Sequence, residues 1–190
     1  GITFTNNTND KVRDIFIADC LIEGPSVWPR TKGIENARGI QATGTGIEVC
    51  YNRIRGFADA IDTFPSQRCS AIDFHHNEIS EMTDDGIEMD YSERNTRCFY
   101  NRLTNCFQGI SLQPVHGGPI YVFRNAMYNI VAEPFKLHNN PSGGVIVHNT
   151  CVKKNAPIDV MAGGAKITNT RFRNNLFIGT ESTYAFELTT

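Results

Sequence analysis

An asparagine recurs along this chain at almost constant spacing, each time with a large apolar or sulfur-bearing residue two positions later. The members are Asn52-Arg-Ile54, Asn77-Glu-Ile79, Asn101-Arg-Leu103, Asn125-Ala-Met127, Asn149-Thr-Cys151 and Asn175-Leu-Phe177, at intervals of 25, 24, 24, 24 and 26 residues. Asp19-Cys-Leu21 reads as a weaker earlier member. A period in this range marks stacked structural repeats, and it decides the fold before local propensity does.

Each Asn follows a short alternating segment: Ile47-Glu-Val49, Ile72-Asp-Phe74, Thr96-Arg-Cys98, Ile120-Tyr-Val122, Gly144-Val-Ile146 and Thr170-Arg-Phe172. The period of two points the first and third residue of each inward. A second column recurs elsewhere in the period: Gly1-Ile-Thr-Phe4, Gly39-Ile-Gln-Ala42, Ala60-Ile-Asp-Thr63, Gly86-Ile-Glu-Met89, Gly109-Ile-Ser-Leu112, Pro134-Phe-Lys-Leu137, Pro157-Ile-Asp-Val160 and Ala185-Phe-Glu-Leu188. Three short strands in about 24 residues leave no room for crossover helices. A hairpin sandwich would reverse strand direction and lose the columns. The economical solution is an all-β parallel solenoid of about seven coils, each about 4.8 Å from the last. Its inward Ile, Phe, Leu and Met stack into one core, and the Asn side chains form an internal ladder that satisfies buried polar groups at a bend.

With 190 residues, the chain reads as a single domain over 1–190, with a loop insertion around 24–38, where the interval from Ile2 to Ile40 stretches to 38 residues. Trp28, the only tryptophan, lies in that insertion, as a plug over the core or a stacking surface. Because strands of the same type open and close the sequence without a polar capping helix, the solenoid is expected to lack its end caps and to be a fragment of a longer protein. A capping segment or second subunit would then cover the ends. The outward apolar stripe of Phe99, Phe123 and Val147 is a further surface for such a partner. A net charge of −2 gives no field for a nucleic acid, and no apolar run is long enough for a membrane span. The six cysteines include no CxxC pair, and mostly free thiols are expected. Cys50 and His75 fall on neighbouring coils beside Glu48 and Asp73, but two soft donors without a third make a poor transition-metal site.

The periodic Asn and the G-I-x-L/M strands resemble the right-handed parallel β-helix superfamily, the pectate-lyase-like fold, over essentially the whole chain. The resemblance implies an exported protein, extracellular or periplasmic, whose substrate is a polysaccharide lying along the outer face of the first strand of each coil. That strand is the Gly-Ile column here. Its outward residues by alternation are Thr3, Gln41, Asp62, Glu88, Ser111, Lys136, Asp159 and Glu187, followed by Thr5, Thr43, Phe64, Asp90, Gln113, His138, Met161 and Thr189. Groups of both signs on a rigid face suit an acidic sugar chain.

Two chemistries fit these residues. In an elimination on a uronate, Glu88 and Asp90 would hold Ca²⁺ against the sugar carboxylate and Lys136 or His138 would remove the proton, with Asp62, Ser111, Gln113 and His116 binding substrate. In a hydrolysis, Asp59-Ala-Ile-Asp62 followed one coil later by Asp84-Asp85-Gly-Ile is similar to the paired-coil Asp pattern of polygalacturonase-type glycoside hydrolases. That likeness implies acid and base roles for Asp59, Asp84 and Asp85. The chain departs from that pattern at Gln108, which stands where a His is expected, and has no Arg-Ile-Lys triplet. A non-catalytic module for glycan binding, adhesion or assembly is the rival reading.

Overall fold

A computed structural model describes residues 1–4, 12–31, 33, 37–64, 69–156, 159–161, 164, 166–181 and 187–189, with backbone alone for 159–161 and 187–189. The described residues contain no helix, so no helix is long and apolar enough to cross a membrane. Their strands stack in parallel as a β-solenoid, about five turns of which are spanned by the ladder from Asn52 to Asn175.

Each turn carries three strand segments, and each segment contributes one vertical stack to the core. The segment before the Asn aligns Ile17, Val49, Phe74, Cys98, Val122, Ile146 and Phe172. The segment after it aligns Ile22, Ile54, Ile79, Leu103, Met127, Cys151 and Phe177. The Gly-Ile segment aligns Ile2, Ile40, Ile61, Ile87, Ile110 and Phe135, and its backbone register continues through residues 160 and 188. The members from Ile40 to Phe135 are fully buried, as are Val49, Phe74, Cys98, Val122 and Ile146 in the first stack. Each such side chain is worth roughly 1.5–3 kcal/mol of burial. In two coils the second and third segments run on as one bent strand, Glu78–Glu88 and Arg102–Ser111. Glu81 and Asn105 take φ of 62° and 58° at the bend. Gly86 and Gly109 are required by close stacking: a Cβ on Gly86 would meet Leu103 at 2.4 Å, and one on Gly109 would meet the Pro134 carbonyl at 2.3 Å.

The Asn ladder is continuous. Asn52, Asn77, Asn101, Asn125 and Asn149 each donate through Nδ2 to the Oδ1 of the next member at 3.0–3.1 Å. The same Oδ1 also accepts the backbone N–H of the member before it. The second Nδ2 hydrogen reaches a carbonyl one coil back, as in Asn77 to Val49 at 2.9 Å. This network fixes a sharp corner in which the preceding residue is left-handed in every coil: Asp19, Tyr51, His76, Tyr100, Arg124, His148 and Asn174 have φ of 53–57°. Non-glycine residues occupy that region only where surrounding bonds enforce it.

Two sequence alignments are corrected. Leu21 pairs with Arg53, so Cys20, not Asp19, occupies the first ladder position, and its N–H donates to Asn52 Oδ1 at 3.1 Å. Phe135 pairs with Val160 and Lys136 with Met161, which places the last two coils two residues later than Asp159 and Glu187 would. Thr5, Ile158 and Phe186 lie outside the described residues. The cysteines, all described, form no disulfide, and all but Cys20 are buried.

Candidate acidic site on the Gly-Ile face

Alternation places Asp62, Glu88, Ser111 and Lys136 outside the core, and the register aligns them across four coils. Lys136 is therefore two strand steps from Glu88, about 9.6 Å. Their outward direction does not leave them exposed. Asp62 and Ser111 are fully buried, Asp90 is 2% exposed, and Glu88 and Lys136 are half-buried. Neighbouring side chains fold over the face. Asp90 Oδ1 accepts from Ser111 Oγ at 2.7 Å and from the Gln113 N–H at 2.6 Å, so it serves as an anchor for the turn. Asp62 accepts from Gln41 Nε2 at 3.3 Å and from the Phe64 N–H, and is ion-paired with Arg38.

Asp59, Asp84 and Asp85 converge. They sit at the start of the Gly-Ile segment on consecutive coils, and the Asp85 N–H donates to Asp59 Oδ1 at 3.1 Å. One carboxylate oxygen from each lies within 4.8 Å of the others, and the same holds for Asp59, Asp62 and Glu88. Asp85 is fully buried and meets Lys136 Nζ through Oδ2 at 2.6 Å, while its Oδ1 has no hydrogen-bond partner. Lys136 comes 51 residues after Asp85 and is thus the counter-ion of the cluster. Gln108 pairs with Asp85 in register and donates to Glu133 Oε2 at 2.7 Å.

The insertion around 24–38 and the strand that follows it supply two cations the sequence did not show. Arg30 stands over the Phe107 ring at 3.5 Å and reaches Asp84 at 3.8 Å, and Arg38 lies 3.7 Å from Asp59. Six carboxylates thus share three cations. Burial pushes Asp59 up to about 7, reinforced by Glu88 and Asp84. It pushes Asp62 to about 6 against the pull of Arg38, and Glu88 to about 7 with repulsion from Asp62. Burial also raises Asp84, Asp85 and Asp90, opposed by Lys136 at the first two and by the Ser111 bond at Asp90. Lys136 is raised: Asp85 holds its proton in place despite burial. His138 is lowered by burial and by Lys136, and its Nε2 is buried without a partner.

His116 is exposed and ends an aromatic rim in which Phe64 meets Tyr91 at 5.6 Å and Tyr91 meets His116 at 6.2 Å. Trp28 is half-buried. A concavity of about 530 Å³ lies at a different corner, lined by Asp19, Cys20, Tyr51, Arg53, His76 and Glu78. No known protein family, no characterised protein and no solved structure matches the chain.

Proposed function

We propose that the protein is a carbohydrate-active hydrolase that cleaves an acidic polysaccharide at the cluster of Asp59, Asp84 and Asp85. The observation that carries this reading is the convergence of these three carboxylates within 4.8 Å while burial keeps one of them, Asp59, protonated to about 7. Glycoside hydrolysis needs one carboxyl that still holds a proton near neutral pH and a second that is ionised beside it. Asp59 is the acid that protonates the leaving oxygen. Burial raises Asp84 too, but it keeps 13% of its side chain exposed and Lys136, Arg30 and Arg38 oppose that rise, so it is assigned as the ionised partner. Asp85 positions Lys136. Arg30 and Arg38 keep about a quarter of their side chains accessible, so each can meet a uronate carboxylate at the rim.

Elimination is disfavoured by the Lys136–Asp85 pair, because a catalytic base must be unprotonated. Calcium also fits poorly. Asp59, Asp62 and Glu88 offer three carboxylates where Ca²⁺ takes 6–8 oxygens, and Arg38 already lies among them.

The test is product analysis on a panel of acidic polysaccharides. New reducing ends without ultraviolet-absorbing unsaturated ends are expected, with Asp59→Asn and Asp84→Asn each slowing release by about 10²–10⁴-fold. Unsaturated ends would move the chemistry to elimination with His138 as base. Binding without cleavage by a folded chain would make this a non-catalytic glycan-binding module.

A further inference from the structure

In the other sheet of the solenoid, the outward residues of the segment before the Asn form a second cluster of reactive groups. Cys50 pairs with His75 across one coil step, and Glu48 lies two residues before Cys50 on the same face. Glu48 Oε1 stands 3.0 Å from His75 Nε2 and 3.8 Å from Cys50 Sγ, and the three donor atoms lie within 4.8 Å of one another. Three donors bound tetrahedrally at zinc distances of about 2.0–2.3 Å would be separated by roughly 3.3–3.8 Å. The resting spacing already approaches this without backbone movement. We propose that Glu48, Cys50 and His75 form a binding site for a zinc-class transition-metal ion, with a fourth position left to solvent on the exposed side of Glu48.

The surroundings orient the ligands as metal sites require. A metal-bound histidine keeps its ring in place by using the other nitrogen in a hydrogen bond. Here His75 Nδ1 meets His76 Nδ1 at 2.8 Å, so His75 can donate there and leave Nε2 free for the ion. The ring of His75 is stacked on Phe99 at 4.7 Å and 23°, Phe99 is stacked on Phe123 at 4.9 Å and 0°, and Tyr51 closes the edge at 5.7 Å. The Phe99 and Phe123 stripe, expected from the sequence to await a partner, thus forms a wall behind His75. His76 is itself held between Tyr51 at 5.0 Å and Tyr100 at 5.1 Å. Thiolate and imidazole select zinc, cobalt or copper over calcium or magnesium. Binding replaces the Cys50 thiol hydrogen by the metal and releases one proton to solvent.

The test is metal uptake by the intact chain, with Zn²⁺ for stoichiometry and Co²⁺ as a spectroscopic probe. One zinc per chain is expected, together with a cobalt spectrum showing a thiolate charge-transfer band and tetrahedral ligand-field bands. His75→Gln should weaken zinc binding by at least about 100-fold, and His76→Ala by about 10-fold. Asp59→Asn should leave it unchanged, which separates this site from the acidic cluster. No zinc uptake by folded wild-type chain, a cobalt spectrum without a thiolate band, or affinity unaltered in His75→Gln would each overturn the assignment. The cobalt spectrum needs no variant, so it decides the matter even if a substitution unfolds the protein.

Discussion

The inside of the Asn corner and the outside of the Gly-Ile face both bury a column of polar groups, and they bury them differently. Along the ladder, Asn52 to Asn149 satisfy one another at 3.0–3.1 Å, and each coil repeats the last. On the Gly-Ile face the coils do not repeat: Gln41, Asp62, Glu88, Ser111 and Lys136 succeed one another, and Asp85 Oδ1 and Glu88 Oε2 are left without hydrogen-bond partners. Neutral, saturated bonding rigidifies. Crowded carboxylates are held there by the rest of the fold and cost stability, which fits the hydrolytic role proposed for them.

The contrast can be broken first at the ladder. Asn101→Ala leaves the Asn77 N–H, the Asn77 amide and the Phe74 carbonyl unpaired in the interior, and should cost about 4 kcal/mol in chemical denaturation. The acidic face should respond to pH instead. Asp59, Asp62 and Glu88 have folded values raised from 3.8, 3.8 and 4.5 to about 7, 6 and 7. Their contribution is fully present below about pH 4 and is lost as pH rises through about 6–7. One group's worth is about 3 kcal/mol, and because they compete for protons the cluster should show a loss of that order between pH 4 and 8, read by denaturant titration. A smaller effect is expected from Lys136→Met, about 2 kcal/mol at pH 8, because Asp85 loses its counter-ion and answers by taking a proton. That loss should shrink towards pH 4. Smallest is Glu88→Gln, which removes repulsion with Asp62 and should gain about 1 kcal/mol at pH 8 and nothing at pH 4.

The repeat made the fold legible because its period acts over the whole chain: Asn spacing alone identified the corner, and alternation identified the buried stacks at Val49, Phe74 and Ile87. For Asp62 and Ser111 alternation gave the outward direction but not the burial, since it says which way a side chain leaves the sheet and not what folds over it. The acidic trio was readable because Asp59 and Asp85 sit on successive coils of known period. Its cations were not. Arg30 comes from an insertion that obeys no period, Arg38 holds the repeat position that pairs with Asp59 but its side-chain direction is not encoded by spacing, and Lys136 reaches Asp85 across an intervening coil. Likewise Glu48 was visible beside Cys50 and His75, but that its carboxylate turns towards both is a rotamer choice no spacing encodes.

Burial keeps carboxylic acids protonated on the Gly-Ile face. Carbon-13 NMR of side-chain carboxyls, followed from pH 3 to 9 with Asp59→Asn and Glu88→Gln for assignment, reads this directly. At least two carboxyls should titrate near 6–7, among them Asp59 and Glu88. A set of carboxyls that all titrate below about 5, the ordinary range, would contradict it.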